Sequence, residues 1–329
     1  MMKKLLLSAT ALAAMTTGAM AADDVTLQLK WVTQAQFAGY YVALEKGLYD
    51  AEDLNVTIKP GGPDVAPVQV LLGGGADVMV DWMPSALAAR ENGAPVVNIA
   101  QPFKSSGMML TCLKESGITA PEDFAGNTLG VWFYGNEYPF LSWMGKLGIA
   151  TDGSEGGVTV LKQGFNVDPL LQKQAACIST MTYNEYWQVV DAGISPDELV
   201  TFKYEDQGVA TLEDGLYVLE DSLTDDAFKA KMARFVKASM AGWAWAAEHP
   251  EEAADIVLEY DETGAQTEKH QIRMMGEVAK LIEGSTGALE LADYDRTVAS
   301  LLSGGSDPVI TKAPTGAYTT DITDMAMMK

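Results

Sequence analysis

The sequence predicts an α/β protein built as two doubly wound lobes joined by two crossing segments. Two observations predict it. β-like and helix-like runs alternate along the chain, the mark of a parallel sheet covered on both faces. In addition, one motif occurs twice: Gly62-Pro63-Asp64-Val65-Ala66-Pro67-Val68 and Gly164-Phe165-Asn166-Val167-Asp168-Pro169-Leu170 share the pattern G-x-[DN]-V-x-P-[VL]. Each copy runs through an apolar helix-like segment into a short β-like one. The length, 329 residues, is enough for two domains with sizeable cores.

Met1-Met2-Lys3-Lys4, the apolar run Leu5 to Met15 and the Ala19-Met20-Ala21 site form a secretory signal, with cleavage expected after Ala21. The run is shorter than the roughly 20 residues a membrane span needs, and threonines interrupt it. No cysteine precedes Cys112, which excludes a lipid-anchored lipoprotein and favours a free periplasmic protein. The net charge of -23 argues against nucleic acid or anionic lipid as a partner. In an oxidising compartment Cys112 and Cys177 are able to pair if their Cα atoms come within about 7 Å.

Val25 to Val32 alternates as a strand, and a helix follows from about Ala35 to Lys46, closed by Gly47. Asn55 to Lys59 reads as a strand, Val65 to Leu72 as a helix and Ala76 to Val80 as a third strand. Pro84 suits the first turn of a helix running to Asn92, with Gly93 as its stop. Val96 to Ala100 is a further strand. In the second lobe Met108 to Leu113, Thr128 to Phe133 and Val158 to Lys162 read as strands, Phe140 to Lys146 as a helix, and the second motif copy leads to a strand at Ala176 to Thr180. Thr224 to Glu283 is largely helical, with Gly284 as a stop. Gln101 to Ser106 and Tyr204 to Thr211 read as the crossings. Lobe 1 is therefore expected at 22–104 and 208–329, lobe 2 at 105–207, and the tail from Ser303 is expected to pack loosely on lobe 1 or fray.

Ligands bind open parallel sheets outside the carboxyl ends of the strands. That rule selects Trp31 to Phe37, Asp81-Trp82, Gln101 to Phe103, Tyr134 to Tyr138 and Thr182 to Trp187. The candidate ligand-binding residues are Trp31, Gln36, Phe37, Asp81, Trp82, Asn136, Glu137, Tyr138, Tyr183, Asn184 and Glu185, joined by Asp206 in the second crossing. The set is rich in aromatics, amides and carboxylates and poor in Lys and Arg, with only Lys104 nearby. It suits a planar nitrogen heterocycle better than a small anion, which wants Arg and helix N-termini. Duller roles compete: Trp31 and Trp82 as core residues, Asp81 as a helix cap, Glu137 as a dipole partner, Glu185 as a solvated surface group.

Catalytic signals are thin. The chain has two histidines, His249 before Pro250 at an expected helix end and His270 among charges. Neither has partners at the spacing of a triad or a metal site. Gly73-Gly74-Gly75 lacks the Gly-Lys-Ser/Thr of a phosphate loop, and Trp243 and Trp245 in an alanine-rich helix read as packing residues. No cofactor is expected.

The run Leu29-Lys30-Trp31-Val32-Thr33-Gln34-Ala35-Gln36-Phe37-Ala38-Gly39-Tyr40-Tyr41-Val42-Ala43, with Glu45-Lys46-Gly47-Leu48-Tyr49, Gly74 to Trp82, Gly135-Asn136-Glu137-Tyr138-Pro139 and Cys177 to Trp187, resembles the thiamine-biosynthesis-like solute-binding proteins of ABC transporters, relatives of the alkanesulfonate binders. The resemblance spans nearly all of the chain after the signal. It is nearest to the branch for pyrimidine precursors of thiamine, with riboflavin binders close by. It implies a type II periplasmic-binding-protein fold, a ligand held in the cleft, and delivery to a membrane permease and ATPase by a soluble monomer. The expected mechanism is lobe closure: an aromatic pair from Trp31, Phe37, Trp82 and Tyr138 sandwiches the ring while Asp81, Asn136, Asn184 and Glu185 bond its amino and ring-nitrogen groups. The superfamily also includes a fungal thiamine-pyrimidine synthase that uses pyridoxal phosphate and a histidine. Where that enzyme resembles this chain it has a lysine and a histidine at the positions of Asp81 and Ser85, and its cysteine-rich cluster falls on Val209 to Tyr217, which has no cysteine. These departures favour a carrier over the enzyme. A sulfonate- or nitrate-type binder is the third reading.

Overall fold

The computed structural model describes residues 21–305 and 307–328. The expected signal lies outside the described residues, apart from Ala21. Two five-stranded sheets organise the rest. The first is ordered β2-β1-β3-β10-β4, from β1 (Asp23–Gln28), β2 (Leu54–Lys59), β3 (Val78–Asp81), β4 (Val96–Ala100) and β10 (Gly215–Leu219). The second is ordered β7-β6-β8-β5-β9, from β5 (Met108–Leu113), β6 (Thr128–Val131), β7 (Thr159–Lys162), β8 (Cys177–Met181) and β9 (Leu199–Lys203). The two orders are one pattern. In each, three parallel strands are followed by a strand that runs antiparallel to its neighbours on both sides: β10 in the first sheet, β5 in the second.

These antiparallel strands correct the expectation of purely parallel sheets. β5 is the first strand after the chain leaves the first sheet and β10 the first after it returns, so each enters its sheet from the end where the others leave it. The motif copies occupy equivalent places: Pro67 opens α2 (Pro67–Leu72) before β3, and Pro169 lies in the first turn of α5 (Asp168–Leu171) before β8. Proline fits there because its missing N–H has no intrahelical acceptor to lose.

The first helical segment is a 3-10 turn (Ala35–Phe37) running into α1 (Ala38–Glu45), with Gly47 at φ 66° as the stop. α3 (Met83–Glu91) follows β3, α4 (Tyr138–Leu147) follows β6 and α6 (Glu185–Asp191) follows β8. After β10 come α7 (Asp226–Glu248), α8 (Pro250–Glu259), α9 (Glu268–Leu281), α10 (Leu291–Leu302) and α11 (Asp321–Met327). α1 meets α7 through glycines: a Cβ on Gly39 would lie 2.2 Å from the Trp243 indole, and one on Gly242 2.1 Å from the Gly39 carbonyl. Trp243 is core, edge-on to Tyr40 and Phe103 at 5.5 and 5.6 Å.

The tail does not fray. Tyr318 bridges to Asn98 beside β4, α11 packs on α7, and Ile322 is fully buried. Cys112 and Cys177 face each other across β5 and β8 and form a disulfide. Among the described residues no helix is long and apolar enough to cross a membrane.

Candidate functional site

The carboxyl ends of strands from both sheets converge on one buried cavity. β1 delivers Lys30, Trp31, Gln34 and Gln36; β3 delivers Trp82; β6 delivers Trp132 and Asn136; β8 delivers Met181, Tyr183 and Glu185. In this conformation the walls are pressed together. The cavity encloses about 20 Å³, room for a water but not for a ring. Trp31 and Trp132, from opposite sheets, meet edge-on at 5.9 Å.

A buried ion pair holds Lys30 in one wall, while its partner Asp81 does not line the cavity. Lys30, the only buried lysine among the described residues, is bonded to Asp81. The other Asp81 contacts are the Trp82 backbone N–H at 2.8 Å on Oδ1 and the Ser85 hydroxyl at 2.9 Å on Oδ2. Asp81 is thus neither a solvated helix cap nor an open acceptor. It faces Lys30 and an outer groove of about 480 Å³ that it lines with Ser85, Tyr134, Glu137 and Tyr138. The expectation that only Lys104 lies nearby is corrected here, since Lys30 lines the cavity. Lys30 lies in a strand-like run, and only the fold brings it to Asp81, with its amine 5.4 Å from the centre of the Trp82 ring.

The opposite wall is acidic. Glu185 is buried, not a solvated surface group; it accepts hydrogen bonds from the Met181 backbone at 3.0 Å and the Asn184 amide at 2.8 Å. Burial nonetheless pushes its carboxyl up to about 7. Behind the cavity, Gln34 donates to Gln36 at 2.6 Å, and Gln36 donates to Asp214 at 2.7 Å. Burial raises Asp214 to about 7, against the pull of the Gln36 hydrogen bond and the Lys30 charge. The Tyr183 hydroxyl and the Trp82 indole N–H are buried without a hydrogen-bond partner. Both side chains line the cavity, and the Trp82 indole lies beside the Asp214 carboxylate.

The remaining candidates lie elsewhere. Phe37 is fully buried in the core and does not line the cavity. Glu137 and Tyr138 line the outer groove, where Glu137 accepts from the Gly135 N–H at 2.8 Å. Asp206 is exposed in a 3-10 turn (Tyr204–Gln207) and lines no part of the cavity. Asn184 sits at the far edge, donating to Gln34 at 3.2 Å and accepting from Gln188 at 2.9 Å, with His270 Nε2 at 2.8 Å.

Reading from the residues did not select Lys30, Gln34, Trp132, Met181 or Asp214. Trp132 fell inside a strand expected to run to Phe133 but ending at Val131, whereas Met181, one residue past the expected strand end at Thr180, carried no aromatic or polar signal. Gln34 lay within a selected run but carried no distinguishing pattern. Asp214 lies just past the expected second crossing.

The crossing segments are tied to each other. Gln101 Nε2 donates to the Glu213 carbonyl at 2.5 Å, Ser106 and Gly107 donate to the Glu213 carboxylate at 3.4 and 3.1 Å, and the Ser106 N–H donates to Glu205 at 3.1 Å. Burial and the neighbouring Asp214 raise the Glu213 carboxyl well above its usual range.

A family model described as NMT1/THI5 like matches residues 34–253. The chain is 25% identical over 240 residues to a formylaminopyrimidine-binding protein of Halalkalibacterium halodurans, covering 72% of this chain and 71% of the relative. It is 25% identical over 246 residues to the riboflavin-binding protein RibY of Chloroflexus aurantiacus, covering 72% of this chain and 66% of the relative. Among solved structures, the putative sulfonate ABC transporter periplasmic sulfonate-binding protein SsuA of Methylobacillus flagellatus KT superposes with a TM-score of 0.61 at 12% identity, over 94% of this chain and 95% of that one. The fold is therefore that of the periplasmic binding proteins.

Proposed function

This chain belongs to the NMT1/THI5-like family, and on that premise we propose that it is the periplasmic solute-binding component of an ABC importer, closing on a small planar nitrogen heterocycle such as a pyrimidine precursor of thiamine. The observation that carries this reading is the wall of the cavity: four aromatic side chains, Trp31, Trp82, Trp132 and Tyr183, with amide and carboxyl groups at their edges. Flat apolar faces bind a ring, and Glu185, Asn136 and Gln34 supply acceptors and donors for its amino and ring-nitrogen groups. The names of the formylaminopyrimidine- and riboflavin-binding relatives support the same ligand class.

A small anion fits less well, because the one buried cation of the cavity wall is already bonded to Asp81. Pyridoxal phosphate chemistry is not proposed either, since Asp81 occupies the Lys30 amine. Residues 22–104 with 208–329 form one moving body in this reading and 105–207 the other. They hinge at the Glu213-bonded crossings, and the protein docks as a monomer on its permease and ATPase. Closure is stabilised only by ligand contacts made from both bodies.

A thermal-shift panel of hydroxymethyl- and formylamino-pyrimidines, thiamine, riboflavin and alkanesulfonates tests the reading, because a ligand raises apparent stability by mass action. The ring compounds are expected to stabilise the protein and the sulfonates to leave it unchanged. Tyr183→Phe removes a hydroxyl that has no partner in the folded chain. It is expected to preserve the melting temperature and to weaken ring binding about tenfold. Unchanged affinity in both Tyr183→Phe and Trp82→Ala for every ring tested would show that the pocket is misplaced.

A further inference from the structure

The inner cavity has a larger neighbour. Across Trp31 and Gln34, which line both spaces, lies a second compartment of about 380 Å³, against about 20 Å³ for the first. Phe165, Asn166, Gln188, Gln266, Thr267 and His270 line it. The partition between the two is the Gln34–Asn184 hydrogen bond, 3.2 Å long and made by side-chain amides of opposite sheets, so it parts whenever the bodies separate.

We propose that this compartment is the second half of a bipartite site and takes an uncharged, hydrogen-bonding arm carried by the ring that the inner cavity holds. The proposal rests on the heterocycle reading above. Four observations select a neutral polar arm. The lining is dominated by amide and hydroxyl groups, which offer donors and acceptors without net charge. Its one carboxylate, Asp191, is already engaged by Arg273 at 2.9 Å and Lys269 at 3.4 Å. Trp31 and Phe165 add apolar faces, and Phe165 is 45% exposed, an aromatic surface with little to cover it in this conformation. Burial and the Arg273 charge hold the His270 imidazole below its usual range, so it too is neutral near pH 7.

The repeated motif gains a role. Phe165 and Asn166 are the variable second and third positions of its second copy, facing the compartment. In the first copy, Asp64 at the third position instead pairs with Lys162 at 2.8 Å.

The test compares two pairs of ligands that differ only in the arm: a methyl-aminopyrimidine against the same ring bearing a formylaminomethyl group, and lumiflavin, with a methyl on the flavin ring, against riboflavin, with a ribityl chain there. Binding is measured by calorimetry on wild type, Gln188→Ala and Phe165→Ala, with circular dichroism to confirm folding. Wild type is expected to prefer the arm-bearing member of at least one pair by about tenfold, and both variants to lose that preference while holding the bare ring within about twofold. Equal affinity for both members in wild type, or equal losses for both in the variants, overturns the bipartite site and leaves the heterocycle reading standing. Failure of wild type to bind any of the four compounds overturns that reading and this one together. If Phe165→Ala does not fold, Gln188→Ala decides alone, since its side chain is only partly buried.

Discussion

Asp214 combines two unfavourable features: a backbone at φ 47° and a carboxyl buried to 1% exposure. Its folded value near 7 exceeds the ordinary 3.8. Between those values the folded chain holds more protons than the unfolded one, so this group's contribution to stability falls as the pH rises from about 4 to about 7 and is flat above. Glu185 acts in the same direction from 4.5 to about 7. Asp214→Asn keeps an oxygen to accept from Gln36, and asparagine tolerates the left-handed backbone. The variant is expected to unfold at higher temperature than wild type above pH 7. Across pH 4 to 7 its stability should fall less steeply, by at most one proton's worth, about 1.4 kcal/mol per pH unit. Calorimetric melts at pH 4, 5.5 and 7.5 check this, and a steeper slope in the variant would remove Asp214 as a source.

At the scale of elements, β8 supplies one wall of the site, Met181, Tyr183 and Glu185. It follows the second motif copy, is paired parallel with β6 and antiparallel with β5, and ends at Met181, where the backbone N–H fixes Glu185. The Cys112–Cys177 bond ties it to β5 and closes a loop with a sequence separation of 65. Constraining the unfolded chain in this way is worth about 4 kcal/mol on the loop-entropy model. The Cys112→Ala/Cys177→Ala pair is therefore expected to lose about 2–4 kcal/mol in urea unfolding. Dithiothreitol should lower the wild-type midpoint toward that of the variant and leave the variant unmoved. A variant as stable as wild type would show that strand pairing alone suffices.

For the whole molecule the decisive contacts are those between the two bodies proposed above. α10 packs on α4, where a Cβ on Gly145 would sit 2.4 Å from the Gly304 carbonyl. Lys162–Asp64, Arg273–Asp191 and His270–Asn184 flank the cleft. The ion pairs are exposed or half-exposed and contribute little individually, whereas the glycine contact is steric and has no soft neighbour to move. Gly145→Val is therefore expected to fold, to resist closure and to weaken ligand binding about tenfold or more. Small-angle scattering with saturating ligand should show a larger radius of gyration than wild type. A variant that closes normally would mean that α4 and α10 do not move apart.

The alternation of apolar runs, the glycine stops at Gly47, Gly93 and Gly284 and the two motif copies were enough to read the α/β class, most element positions and the repeat, because each is a local property of a few adjacent residues. The family was legible in the same way, from contiguous runs such as Leu29 to Ala43. Strand ends were less sharp, and a shift of two residues hid Trp132. The tertiary structure alone decided which strands run antiparallel, that Lys30 meets Asp81, that Phe37 turns into the core, and that Gln34 meets Asn184 between two compartments. Each of these joins residues that lie far apart in the chain or depends on which side of a strand end faces the cleft, and local pattern carries no information about either.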